Sequence, residues 1–276
     1  MRGSELVRSL LSLGDVYARR AYAIDLLLTT ELGTLALALD DLGGSAEAFD
    51  PPSREALFAI VDAMNQPRCA DRVQRLREEA AGRALASLER LLRIRPPEGA
   101  RDDTRDDTRE APVPDYGAGR TLTLGERKSL ARKPDRDMVE KLLLDPHPEV
   151  IRRVLVNPRM TEDLVLRLAT RRTCPGEVLA EIARFPRWST RSRIRLALVL
   201  NPALPEDIAA RLVSLLLRQE LILVAERSPD GSLIRGLCNE RLRRPPQNSY
   251  TLPPKHIYIE ECARLHTVEV DPRLLN

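Results

Sequence analysis

Apolar positions recur every three or four residues through most of this chain, the spacing that places side chains on one face of a helix. In the first 94 residues three such stretches stand out. Leu6, Val7, Leu10 and Leu11 form the first, with Ser4 as its expected N-cap. Gly14 and Gly33 mark interruptions, and the apolar run at 21–39 reads as buried helix. Residues 41–52 hold Gly43, Gly44, Pro51 and Pro52 and predict a loop, after which Ser53 caps a second stretch with Glu55 in its first turn. The third stretch runs from about Cys69 to Ile94 through Val73, Leu76, Ala80, Ala84, Leu88 and Leu92. The plain reading of 1–94 is a small helical bundle. The sharper one is a dimerising amphipathic helix at 69–94, although no clean heptad is sustained.

The periodicity stops at Pro96-Pro97. Residues 95–124 carry the tandem RDDTRDDT at 101–108, then Pro112 and Pro114. High charge without apolar anchors cannot offset the entropy of ordering, so the segment reads as a charged, proline-rich linker.

Residues 125–244 return to helical spacing with regular punctuation. Pro134, Pro146 and Pro158 lie twelve residues apart. Helix entrances fall at Pro148-Glu149, Thr161-Glu162, Pro175-Gly176-Glu177 and Pro205-Glu206, each placing a proline or cap residue and an acid where the unpaired N–H groups need them. Exits fall at Asp145-Pro146, Asn157-Pro158, Phe185-Pro186 and Asn201-Pro202, because proline disfavours helix at the residue before it. Helices of two or three turns are marginal alone and must bury their apolar faces against neighbours. The pattern predicts a stacked array of short helices. Residues 245–276 differ: Pro245-Pro246 and Pro253-Pro254 bracket a polar stretch, and HIYIE and TVEV hint at short extended segments in a C-terminal tail.

The recurring Leu-x-x-[Asp/Asn]-Pro-x-x-Pro-Glu-x-[Val/Ile] pattern is seen in LLLDPHPEVIRRVLVNP, LVNPRMTEDLVLRLA and LVLNPALPEDIAARL. It resembles the leucine-rich repeat variant and HEAT-like bacterial helical repeats over about 125–240. The resemblance implies a helical superhelix and no particular ligand. The variant family's iron–sulfur cluster needs clustered cysteines, and Cys69, Cys174, Cys238 and Cys262 are scattered, so it is not carried over. The helix starts at Pro175 and Pro205 are thirty residues apart, with a divergent segment around Trp188 between them.

Composition agrees with helix: 3% of residues are aromatic, and Leu and Ala carry the hydrophobic content. The scattered thiols and an interrupted apolar start point to a cytoplasmic protein without membrane insertion; Asp25 and Glu31 lie inside the most apolar early run. Net charge is +3, but residues 125–244 hold 24 Lys+Arg against 16 Asp+Glu, so the array is mildly basic. Arginine makes up 40 of the 44 basic residues, which suggests a GC-rich genome and weakens any inference to a phosphate partner.

No dinucleotide fingerprint, phosphate loop, zinc-protease motif or nucleophile elbow occurs, and no catalytic set, metal or cofactor is implied. His147 in Asp-Pro-His-Pro-Glu reads as a capping or exposed residue; Cys174 stands at a helix start where a thiol pKa can fall, but a quiet structural position is the favoured reading. The notable cluster is Arg184, Arg187, Trp188, Arg191, Arg193 and Arg195, joined by Arg152 and Arg153 as candidate binding residues. Arginines beside an aromatic hold phosphates and stack bases, and also mark protein hot spots. The plain alternative has Trp188 filling the core where the repeat breaks, with arginine stems covering it. The expectation is an all-α chain: an α-solenoid of short helical repeats preceded by a small helical N-terminal unit. It would act as a protein-interaction scaffold. The alternatives are a nucleic-acid-binding or base-processing helical repeat protein, and a protein that self-assembles through its N-terminal helices.

Overall fold

The computed structural model describes residues 1–95, 113–117 and 119–243. RDDTRDDT, His256, His266, Cys262 and the HIYIE and TVEV segments lie outside the described residues. Of the described residues 69% are helical, with no strand among them. The first half contains α1 (Gly3–Leu11), α2 (Val16–Thr29), α3 (Leu32–Glu47), α4 (Pro51–Met64), α5 (Ala70–Arg83) and α6 (Ala86–Leu91). The second contains α7 (Leu124–Leu130), α8 (Arg136–Leu142), α9 (Pro148–Val154), α10 (Glu162–Thr170), α11 (Gly176–Ala183) and α12 (Pro186–Ser189). It ends with α13 (Ser192–Leu200), α14 (Glu206–Val213), α15 (Arg218–Arg227) and α16 (Leu233–Leu242). Helices pack mostly on near neighbours in the chain, such as α2 on α4, α9 on α11 and α15 on α16.

Four readings of the first half are corrected. Ser4 is not a cap: α1 starts one residue earlier, where Gly3 N donates to Asp41 Oδ2 on α3 at 3.0 Å. Residues 41–47 are helix and not loop. Gly43 packs closely, because a Cβ on it would stand 3.2 Å from Ser87 Cβ on the helix laid across it. Asp50 rather than Ser53 caps α4, accepting Ser53 N at 2.9 Å, with Pro51 and Pro52 in the first turn. The stretch at 69–94 is also two helices. Ala84 takes a left-handed conformation (φ 55°), and Asp40 Oδ1 on α3 accepts the amides of Ser87 and Leu88 at 2.8 and 3.0 Å. A carboxylate from another helix thus holds the first N–H groups of α6, which no local pattern reveals.

In the second half the predicted entrances match helix starts at α9, α10, α11 and α14. His147 caps α9 through Nδ1, which accepts Glu149 N at 3.2 Å, and Thr161 caps α10. The exits do more than end helices. Asn157 Nδ2 donates to the carbonyls of Ala131 and Lys133, just beyond α7, at 2.8 Å each. Asn201 Nδ2 does the same to Ala169 and Arg171, at the end of α10, at 2.8 and 3.0 Å. Each side-chain oxygen accepts the amide two residues on, Arg159 N and Ala203 N. A buried asparagine therefore satisfies the orphan carbonyls at the end of an earlier helix and fixes the spacing between bends.

Aspartate at the equivalent position cannot donate, and its partners change accordingly. Asp145 is fully buried; it accepts two bonds from Arg127 Nη1 at 2.7 Å, one from Tyr116 Oη at 2.6 Å and one from His147 N at 2.9 Å. Burial and the bond to Asp145 raise the Tyr116 phenol above its ordinary value, keeping it protonated as a donor.

The two halves share one continuous apolar core. At their junction, polar groups of the first half meet helix ends of the second. Arg54 donates to the carbonyls of Leu215 and Leu216 after α14, and Gln66 Nε2 to that of Arg184 after α11. Among the described residues no helix is long and apolar enough to cross a membrane.

Candidate functional site

The candidate residues surround the bend at Phe185-Pro186, where the proline punctuation of the sequence becomes irregular. Pro186 holds Phe185 extended (φ −103°, ψ 107°), as proline does at the other bends, but the phenylalanine side chain has no donor for a neighbouring carbonyl. One turn later Trp188 supplies it: indole Nε1 donates to Leu155 O, the carbonyl just beyond α9, at 3.1 Å. Trp188 is 3% exposed, in keeping with the expectation that it fills the irregularity. Arg187 lies outside it, with its guanidinium 4.5 Å from the ring centroid.

The arginines do not act as one group. Arg152 and Arg184 converge on a single carboxylate, Glu181 of α11. Arg152 binds it in bidentate fashion at 2.6 and 2.9 Å, and Arg184 Nη1 adds a bond at 3.0 Å. Burial alone would raise the Glu181 pKa, but the bonds and charges of Arg152 and Arg184 outweigh it and hold the group below its ordinary value. Arg184 Nε also donates to Asn65 O at 2.9 Å, so this cluster ties the end of α11 to the end of α4.

Arg195 is buried elsewhere. Nη1 donates to the carbonyls of Ser189 and Thr190 at 3.1 and 2.7 Å, and the guanidinium stacks 4.6 Å from the Phe58 ring. Burial lowers its pKa to about 10. Arg191 and Arg193 reach the first-turn acids of α10, Glu162 and Asp163, at 3.9 and 4.0 Å, distances of loose surface pairs. Arg153 is exposed on α9. Of the eight candidates, only Arg153, Arg187, Arg191 and Arg193 therefore offer a guanidinium that is not already committed to strong internal bonds.

Two features escaped the sequence. Glu181 looks like an ordinary helical acid, and only the fold brings Arg152 and Arg184 to it. Asn65 follows α4 with no motif around it, yet Oδ1 accepts Arg211 Nε at 2.7 Å while its backbone carbonyl takes Arg184. Cys174 holds the quiet structural position favoured for it: it is buried, and desolvation raises its thiol instead of activating it. Among the described residues no group of three or more His, Cys, Asp or Glu is placed to hold a metal. No family model, curated protein or solved structure matches this chain.

Proposed function

We propose that the chain is a non-enzymatic interaction module. Residues 125–244 act as a solenoid of short helical repeats that binds a segment of another protein, residues 1–94 as a helical unit docked on it, and 95–124 as the link. The repeat resemblance motivates the architecture, and one observation carries the function. Leu144 and Val156 occupy the same position in consecutive repeats, and they are 56% and 57% exposed. Each precedes the buried Asp145 or Asn157, so turning the bend residue inward leaves its neighbour outward. An exposed lysine or arginine stands three residues before each, Lys141 and Arg153. Single exposed apolar residues are ordinary; a repeated apolar position with a repeated cation beside it is a recognition edge. It fits a partner with apolar side chains and acids at matching intervals.

The test is a photo-cross-linking amino acid at 144 or at 156, with the same probe at Leu28 as control. The expected result is a protein adduct from 144 and 156 alone, removed by Leu144→Glu or Val156→Glu with unchanged melting. Absence of such an adduct overturns the reading. So does nucleic-acid binding that weakens steeply with salt and is lost on replacing Arg153, Arg187, Arg191 and Arg193.

A further inference from the structure

Between the halves, where α2 and α4 face α11, α12 and α14, lies a cleft of about 240 Å³. At roughly 30 Å³ per water that is room for about eight waters, a little below the roughly 300–1,000 Å³ of ligand sites for drug-sized molecules, so it suits only a small molecule. Its walls are largely apolar, formed by Phe58, Ala59, Pro186, Leu212 and Leu215. Its polar lining is Asp62 and Asn65, from one face of α4 and the residue that ends it, with Ser189 and Thr190 opposite, where Thr190 Oγ1 donates to Pro186 O, and Arg19 and Glu55 at the rim.

Asp62 and Asn65 are deeply buried, 7% and 3% exposed, and both are incompletely satisfied. Neither carboxylate oxygen of Asp62 has a hydrogen-bond partner, although Arg20 Nε lies 3.3 Å from Oδ2. Asn65 Oδ1 is held by Arg211, a donor-only group, which fixes the amide orientation and leaves Nδ2 as a donor without a partner. Buried polar groups without partners are rare and costly, and two of them side by side in an apolar cleft define the complement of a ligand. The ligand must donate to a carboxylate and accept from an amide one helical turn away, about 5–6 Å between Cβ atoms.

We propose that this cleft binds a small β-amino alcohol: its ammonium on Asp62, its hydroxyl oxygen on Asn65 Nδ2, and its apolar body between Phe58 and Leu215. The site is independent of the interaction edge at Leu144 and Val156. Arg19 and Glu55 pair at the rim and set its polar mouth.

Titration of Asp62 adds support. Burial raises its pKa to about 7, against the lowering influence of Arg20. The other charged groups around the cleft are Arg19 and Glu55 at the rim, Arg211 with its partner Asp207, Arg184 on Asn65 O, and Arg195 over Phe58. An ammonium binds the ionised form of Asp62, so association below pH 7 releases a proton.

The probe is 2-amino-1-phenylethanol, titrated calorimetrically into the full-length chain. Saturable binding is expected, about tenfold tighter at pH 8 than at pH 6 from a group titrating near 7. 2-Phenylethylamine, which lacks the hydroxyl, should bind about fivefold to tenfold more weakly, the worth of roughly one hydrogen bond. 1-Phenylethanol, which lacks the amine, should not bind. Asp62→Asn should abolish binding while the chain stays folded. The sign is set by linkage: a carboxyl whose folded pKa is raised above its unfolded value loses stability as pH rises from about 4 to about 7, so the neutral amide should melt higher than the native chain at pH 8. Undetectable binding of the amino alcohol, equal binding of 1-phenylethanol, or affinity independent of pH overturns the assignment.

Discussion

The bends at Asn157 and Asn201 and the bend at Phe185 meet the same physical need by different means. A short helix ends in unpaired carbonyls, and stacking the next helices over them removes water. At the regular bends an asparagine before proline turns inward, donates to two carbonyls and accepts one amide. At the divergent bend the residue before proline is an arene, and an indole three residues later donates once. One device is compact and repeatable. The other is bulky and unique, and it accompanies a four-residue helix inserted where the regular spacing fails. The contrast teaches that Asn157, Asn201 and Trp188 meet one need, the satisfaction of carbonyls at the end of an earlier helix, with different side chains.

The largest test of this contrast is Trp188→Ala. It removes both the filling side chain and the Leu155 partner and should cost about 3–5 kcal/mol. Trp188→Phe keeps most of the volume and should cost markedly less; if the two melt alike, the indole bond dominates and the filling argument is wrong. Next is Asp145→Asn, which installs the residue found at the bends of Asn157 and Asn201. Arg127 and Tyr116 would then face an amide nitrogen in place of an acceptor, for a loss of about 3 kcal/mol by chemical denaturation. A neutral result would mean that the bends are interchangeable. Asn157→Ala and Asn201→Ala should each cost about 1–3 kcal/mol, since buried carbonyls lose their donors. Hydrogen exchange should show opening at the ends of α7 and α10 respectively. Smallest are Arg187→Gln and Arg191→Gln, each within about 0.5 kcal/mol, because one stacks on the surface of the indole and the other makes a loose ion pair.

Much of the helical layout was legible because it is local. Proline at 148, threonine at 161 and the acids after them sit where helix starts require them, and the start of α9, α10, α11 and α14 follows directly. The same reasoning failed where distant atoms decide. Gly43 and Gly44 look like loop residues until Ser87 is laid against them. Val73 to Leu92 looks like one helix until Asp40 captures the amides of Ser87 and Leu88. Among the candidate binding residues, an Arg-rich run beside a tryptophan was visible. Which arginines are free to bind was not: Arg152 and Arg184 share Glu181, and Arg195 is sealed against Phe58.

Sequence by itself determined that the folded parts of the chain are helical and where α9, α10, α11 and α14 begin, while it left Trp188 open between the core and a binding site. Capping, proline geometry and 3.6-residue periodicity act over a few residues and are written into the order of side chains. Tertiary structure alone decided which carbonyl each bend residue satisfies, which charges neutralise one another, and that Asp62 and Asn65 face an apolar cleft between the halves. Those outcomes depend on desolvation and on donor–acceptor pairing between segments tens to more than a hundred residues apart, and a linear pattern carries neither.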